Sequence, residues 1–154
     1  MVVQPIVELA TGRRFGVESL SRFPTDRERP TDVCFAEAHS VGEGDRVELL
    51  APRRGAEQLD RACGYVALNV SPGTPLAPER TALLDDLGPH LDRILLEPSD
   101  HDPVDGYDAL RDVLAPLRTG GMRLAIDDVG AGFSSLRHIV LIAPDVIKLD
   151  RTII

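Results

Sequence analysis

Leu124-Ala125-Ile126-Asp127-Asp128-Val129-Gly130-Ala131-Gly132 runs an apolar stretch straight into two adjacent carboxylates and then into a glycine-rich turn. Core packing does not explain a carboxylate pair at the end of an apolar run. The glycines let the backbone turn tightly before Ser134 or Ser135 opens a helix. The same arrangement recurs along the chain. Phe15-Gly16-Val17 runs into Glu18, Tyr65-Val66-Ala67-Leu68 into Asn69, Ile94-Leu95-Leu96 into Glu97, and Val146-Ile147 into Lys148. Asn69 is the only asparagine and Lys148 the only lysine, in a sequence that otherwise uses Arg for its cations. Polar groups gathered at the ends of several buried strands are how an α/β barrel builds an active site.

The stretches between these strand ends support that architecture. Short apolar runs alternate with longer amphipathic ones, the signature of repeated strand and helix units. The pattern predicts strands near Val2-Val7, Phe15-Leu20, Tyr65-Val70, Ile94-Glu97, Met122-Asp127 and Val146-Leu149. It predicts helices near Asp32-His39, Arg46-Arg61, Thr81-Leu87, Tyr107-Leu117 and Ser134-Ile142. The first two strands are joined by Ala10-Thr11-Gly12-Arg13, too short for a helical crossover, so they form a hairpin. The expected fold is an α/β, partial TIM-like barrel opened by an antiparallel first strand.

Glu18, Asn69, Glu97 and Asp127 offer only oxygen donors to a shared point above such a barrel. That set suits a hard cation such as Mg²⁺, Mn²⁺ or Ca²⁺. His39, His90, His101 and His138 fall at no shared strand end and read as surface or helix-end groups. The 154 residues, 43% of them hydrophobic, suffice for one ordinary core. A net charge of −8 and a pI near 4.9 disfavour a broad surface for nucleic acid, which needs a cationic face. A small anion remains compatible, because one metal ion inverts the local field of an acidic cleft. Cys34 and Cys63 read as free thiols in a reducing cytoplasm. No stretch has the length of a membrane span, and the start lacks the pattern of a signal peptide.

Glu18-Ser19-Leu20-Ser21-Arg22 resembles the Glu-Ala-Leu signature, extended as Glu-x-Leu-x-Arg, of EAL-domain cyclic-di-GMP phosphodiesterases. Further blocks resemble that family in the right order: Gln4-Pro5-Ile6-Val7, Leu68-Asn69-Val70-Ser71-Pro72, Glu97-Pro98-Ser99-Asp100, the Asp127–Gly132 segment and Lys148-Leu149-Asp150-Arg151. The resemblance spans residues 1–154 as a single EAL-like domain. It implies metal-dependent hydrolysis of cyclic-di-GMP to the linear dinucleotide, with Mg²⁺ or Mn²⁺ as cofactor. It implies a first metal held by Glu18, Asn69, Glu97 and Asp127, and a second held with the help of Asp127 and Asp128, with Asp150 as a further acidic position near them. Lys148 would contact a metal-bound water, so Lys148, Asp128 and Glu18 are the implied catalytic residues. Gln4 and Arg22 resemble the residues that contact the guanine nucleotide.

Some positions depart from the family pattern. Ser19 replaces the Ala of the signature, a small-for-small change that strand alternation points away from the metals. Val129 replaces a Phe, and Asp100 stands where a Glu anchors the glycine loop. The family's later strands, one of which bears a catalytic glutamate, do not occur in these residues, so the expectation is a barrel lacking its C-terminal strands, with weak or no turnover by this chain alone. Three readings follow: an enzyme, a non-catalytic cyclic-di-GMP-binding module, or a protein-interaction module. An open barrel edge would be covered by a homo-oligomer partner or another domain. Large nucleic acids and the membrane are not expected partners of this domain, which is expected in the cytoplasm.

Overall fold

The computed structural model describes residues 1–24, 29–71, 87–98, 107–129 and 139–149. Six strands among them form one sheet in the order of the sequence: β1 (Val2–Val7), β2 (Arg14–Leu20), β3 (Tyr65–Val70), β4 (Ile94–Pro98), β5 (Arg123–Val129) and β6 (Val146–Leu149). β1 and β2 are antiparallel, and every later neighbour pair is parallel. The hairpin turn closes through Gly12, whose φ of +67° is a conformation that glycine adopts without steric cost. Its amide donates to the Glu8 carbonyl at 2.8 Å.

Period-two alternation sorts each strand into two faces. Val17, Val66, Leu68, Ile94, Leu96 and Leu124 point outward, into a core shared with Leu59, Leu110, Leu114 and Leu117. Each fully buried Leu contributes about 1.5–3 kcal/mol relative to exposure. The helices that supply this layer are α2 (Gly44–Ala56) and α3 (Tyr107–Thr119), while α1 (Thr31–Ser40) packs against α2 and buries no residue of its own. Gly55 brings α2 close to the sheet: a Cβ there would stand 2.5 Å from Leu68 Cδ2 and 3.1 Å from Ser19 Oγ. Ser19 therefore faces the helix layer, as the alternation predicts.

The inner face is lined by small and medium residues. Ala67, Leu95 and Ala125 are wholly buried there, packed with Ile6, Phe15, Tyr65 and Val146. The Phe15 and Tyr65 rings stack at 4.7 Å, and the Arg123 guanidinium lies 4.7 Å from the Tyr65 ring centre. The two outer strands are less covered: Val2, Val3 and Val7 on β1 and Ile147 and Leu149 on β6 are exposed.

All six expected strands form, with β5 reaching two residues further, to Val129. The expected Arg46–Arg61 helix is instead α2 followed by a separate 3-10 turn at Glu57–Asp60. A 3-10 turn over Gly88–Arg93, with Pro89 in its first turn, leads into β4 where periodicity offered no signal. The expected helix at Thr81–Leu87 lies outside the described residues except for Leu87. Of the expected Ser134–Ile142 helix, residues 139–142 are described, and they are helical. Cys34 and Cys63 are both free, the former half-buried and the latter exposed. Among the described residues, no helix is long and apolar enough to cross a membrane.

Candidate metal centre

The inner face explains why the polar residues meet. Gly16, Ala67, Leu95, Ala125 and Val146 are each followed two positions later by a polar residue, respectively Glu18, Asn69, Glu97, Asp127 and Lys148. Two residues along a strand is one step on the same face. A small apolar layer is therefore capped, at the C-terminal ends of parallel strands, by a layer of charge. The register aligns it: Asn69 is the Cα partner of Glu97, and Gln4 of Glu18.

Lys148 sits at the centre of this layer. Its Nζ donates to Glu18 Oε2 at 2.9 Å, Glu97 Oε2 at 2.9 Å and Asp127 Oδ2 at 2.7 Å. Asn69 Nδ2 donates to Glu18 Oε1 at 2.8 Å and so orients that carboxylate. The Glu97 side chain is only 2% exposed, and its Oε1 is buried with no hydrogen-bond partner among the described residues. Burial pushes the Glu97 carboxyl up to about 7. The Lys148 ammonium pulls in the other direction, and the Glu18 and Asp127 charges add to the rise. For Lys148, burial opposes the charge, but the carboxylates around it outweigh that cost and hold its pKa above the ordinary lysine value.

These residues fit a divalent cation. Glu18, Glu97 and Asp127 each offer a carboxylate oxygen, all within 4.8 Å of one another. The buried Glu97 Oε1 is an acceptor in want of a donor or a cation. An oxygen-only set of this kind suits Mg²⁺, Mn²⁺ or Ca²⁺.

The other expected site residues are distributed around this centre. Gln4 lines, with Glu18, Asp127 and Lys148, a cleft of about 790 Å³ between β1 and β6. Arg22 lies past the end of β2 and donates through Nη1 to the Ser21 carbonyl at 2.7 Å. It borders a smaller hollow beside Asn69 and Phe35 and does not reach the carboxylates. The Asp128 backbone lies in β5. The pairing there shifts from Ile126↔Ile147 to Val129↔Leu149, so one extra residue of β5 is accommodated at Asp127–Asp128. Asp150, Asp100 and the glycines after Val129 lie outside the described residues.

The family profile of the EAL domain matches residues 1–154. The chain belongs to the EAL-domain family. A relative from Escherichia coli K12, the probable cyclic di-GMP phosphodiesterase PdeB, is 26% identical over 98% of this chain and 31% of its own length. BlrP1 of Klebsiella pneumoniae, solved with manganese and cyclic-di-GMP at pH 9.0, is 34% identical with a TM-score of 0.76 over 97% of this chain and 40% of its own. The Bacillus subtilis YkuI protein, solved with cyclic-di-GMP and calcium, is 24% identical with a TM-score of 0.74 over 99% of this chain and 40% of its own; it supports the fold alone. The EAL chain thus spans well under half of each of these relatives.

Sequence reasoning missed two residues that bear on this site. Asp145 and Arg118 join the start of β6 to the start of β5 and to α3. The available signal was a carboxylate immediately before a strand that carries the chain's only lysine.

Proposed function

We propose that this EAL domain binds cyclic-di-GMP at the C-terminal ends of its parallel strands and hydrolyses it to the linear dinucleotide. The observation that carries the reading is the convergence of Glu18, Asn69, Glu97, Asp127 and Lys148, from five strands, at one point beside an open cleft. Divalent metals, Mg²⁺ or Mn²⁺, would supply charge neutralisation of the phosphodiester and activation of the attacking water. Glu18, Asn69, Glu97 and Asp127 would hold the first, and Asp127 and Asp128 would help hold the second, with Asp150 as a further acidic position near them. Asn69 presets the Glu18 carboxylate by its amide hydrogen bond. Lys148 brings a compact cation to the same point, where it can orient a water and balance charge developing on the phosphoryl oxygens. Gln4 faces the cleft from β1 and is assigned to the guanine base. Arg22, past the end of β2, is assigned to the nucleotide with it.

The second reading is a binding module without turnover, in which Glu18, Asn69, Glu97 and Asp127 would hold the metal and Gln4 and Arg22 the nucleotide. A cytoplasmic setting belongs to the same proposal, as does a second copy of the chain over the exposed apolar edge of β1 and β6. Light scattering that reports a monomer at high concentration overturns the latter. The decisive experiment is incubation with cyclic-di-GMP and Mn²⁺ or Mg²⁺, chromatography for the linear dinucleotide, and calorimetry on the same sample. Turnover that disappears in Lys148→Ala supports the enzyme. Binding without turnover supports the module, and neither overturns both.

A further inference from the structure

β6 carries Lys148 but has little of its own to hold its register. It is four residues long, its outward residues Ile147 and Leu149 are 48% and 40% exposed, and its pairing with β5 shifts part-way along. A slip of one residue would turn Lys148 to the other face of the sheet and leave the carboxylates without it. Burial of the outer face, which pins the other parallel strands, is too weak here to forbid that slip.

The grip comes from the residue before the strand. The Asp145 amide donates to the Leu124 carbonyl at 2.8 Å, and Asp145 Oδ2 accepts from the Leu124 amide at 2.9 Å. Asp145 thus holds both backbone groups of one residue of β5. Its other oxygen, Oδ1, accepts from Arg118 Nη2 at 2.9 Å. Arg118 Nη1 in turn donates to the Ala143 carbonyl at 3.0 Å and the Ile142 carbonyl at 3.3 Å, across the turn where Ala143 adopts a φ of +49°. Arg118 belongs to the last turn of α3, which is anchored in the core by Leu110, Leu114 and Leu117. The spacing completes the argument. Leu124 stands three residues before Asp127, and Asp145 three residues before Lys148. Locking Leu124 to Asp145 therefore brings Asp127 and Lys148 level, and these meet at 2.7 Å.

We propose that Arg118 and Asp145 are positioning residues that set the register of β6 and so seat Lys148 among Glu18, Glu97 and Asp127. The geometric claim stands on these contacts, and its consequence for turnover rests on the phosphodiesterase reading above. Because Lys148 is the chain's only lysine, its acylation by an amine-reactive acetyl ester can be followed by peptide mass spectrometry without ambiguity. The exposed α-amino group of Met1 serves as the internal reference. Measured against that reference, Lys148, with a side chain 13% exposed, should react at least ~10-fold more slowly in the folded unmodified chain than in the same chain unfolded in urea, a comparison that cancels the lower pKa of the α-amino group.

Asp145→Ala should remove most of this protection. Asp145→Asn should retain part of it, because the amide oxygen still accepts from Leu124. Leu110→Ala, which weakens the core of α3 without touching the grip, should lower the melting temperature and leave the acylation ratio unchanged. Unchanged protection in a folded Asp145→Ala, or an equal loss in Leu110→Ala, overturns the proposal. If Asp145→Ala does not fold, Arg118→Ala decides: an acylation ratio equal to the unmodified chain overturns it, and an intermediate one supports it. Where turnover is measurable, Asp145→Ala should lower kcat with KM nearly unchanged. Protection that responds as described in a chain showing no turnover upholds the positioning role and overturns the phosphodiesterase reading instead.

Discussion

Replacing Lys148 by Met removes the only cation among the described residues that touches Glu18, Glu97 and Asp127 together. At about 2.8 Å and an effective dielectric near 20, each contact represents ~6 kcal/mol of Coulomb attraction. Carboxylate oxygens no more than 4.8 Å apart repel by at least ~3.5 kcal/mol per pair on the same scale. Desolvation of the ammonium offsets much of the attraction, and Asp127, 36% exposed, is further screened by water. Breaking a buried ion cluster by removing one partner costs ~3–5 kcal/mol. Glu97, already pushed up to about 7, limits that cost by taking a proton. We expect Lys148→Met to lose ~2–4 kcal/mol at pH 8, a fall of roughly 5–15 °C in melting temperature for a chain of this size. At pH 5 the loss should shrink, since protonation relieves the repulsion that the lysine no longer balances. Millimolar Mn²⁺ should raise the melting temperature of the variant more than that of the unmodified chain, because the ion no longer competes with an ammonium. The assay is thermal unfolding by circular dichroism at both pH values, with and without Mn²⁺. A loss below ~1 kcal/mol at pH 8, or a larger metal effect on the unmodified chain, refutes this account of the centre.

Glu97 gives a pH dependence whose sign is determined: its folded pKa lies above its ordinary value, so its contribution to stability is complete below about 4.5 and is lost as pH rises through about 7. A cation must displace that proton, so Mn²⁺ affinity by calorimetry should climb up to ~10-fold per pH unit below 7 and level off above it; a flat profile contradicts the shift. Asp127→Asn should abolish most of the cation-dependent rise in melting temperature, since it removes one of the three converging carboxylates; an undiminished rise would place the ion elsewhere. Ser19→Ala should be neutral or stabilise by up to ~1 kcal/mol in chemical denaturation, because the buried hydroxyl has no hydrogen-bond partner among the described residues. Gly55→Ala should cost ~1–3 kcal/mol, because its Cβ would meet Leu68 at 2.5 Å.

The elements that the sequence made legible are those whose signal is local. Short apolar runs ending in a polar group marked β2 to β6, and the short Ala10–Arg13 link announced the hairpin that brings in β1. The break in α2 and the 3-10 turn before β4 were not legible. They are settled by packing, as where Gly55 lets α2 lie close on Leu68, rather than by periodicity. At the site, the donors Glu18, Asn69, Glu97 and Asp127 could be named from strand ends alone. Arg22, which the resemblance assigns to the nucleotide rather than to a metal, carries no such strand-end signal and donates to the Ser21 carbonyl in this structure.

By itself the sequence determined residue type and face. Period-two alternation in each strand dictates that Ala67 and Asn69, Leu95 and Glu97, or Val146 and Lys148 look the same way, whatever lies beside them. It could not determine which of those residues touch. Glu18 and Asn69 are 51 residues apart and Glu18 and Lys148 are 130 apart, and their meeting depends on strand registers set by crossover helices and by contacts such as the Asp145 grip on Leu124. Only the tertiary structure decided that one lysine would sit among three carboxylates and leave Glu97 buried with an oxygen unpaired among the described residues. Register is a relation between distant segments, and no local pattern encodes it.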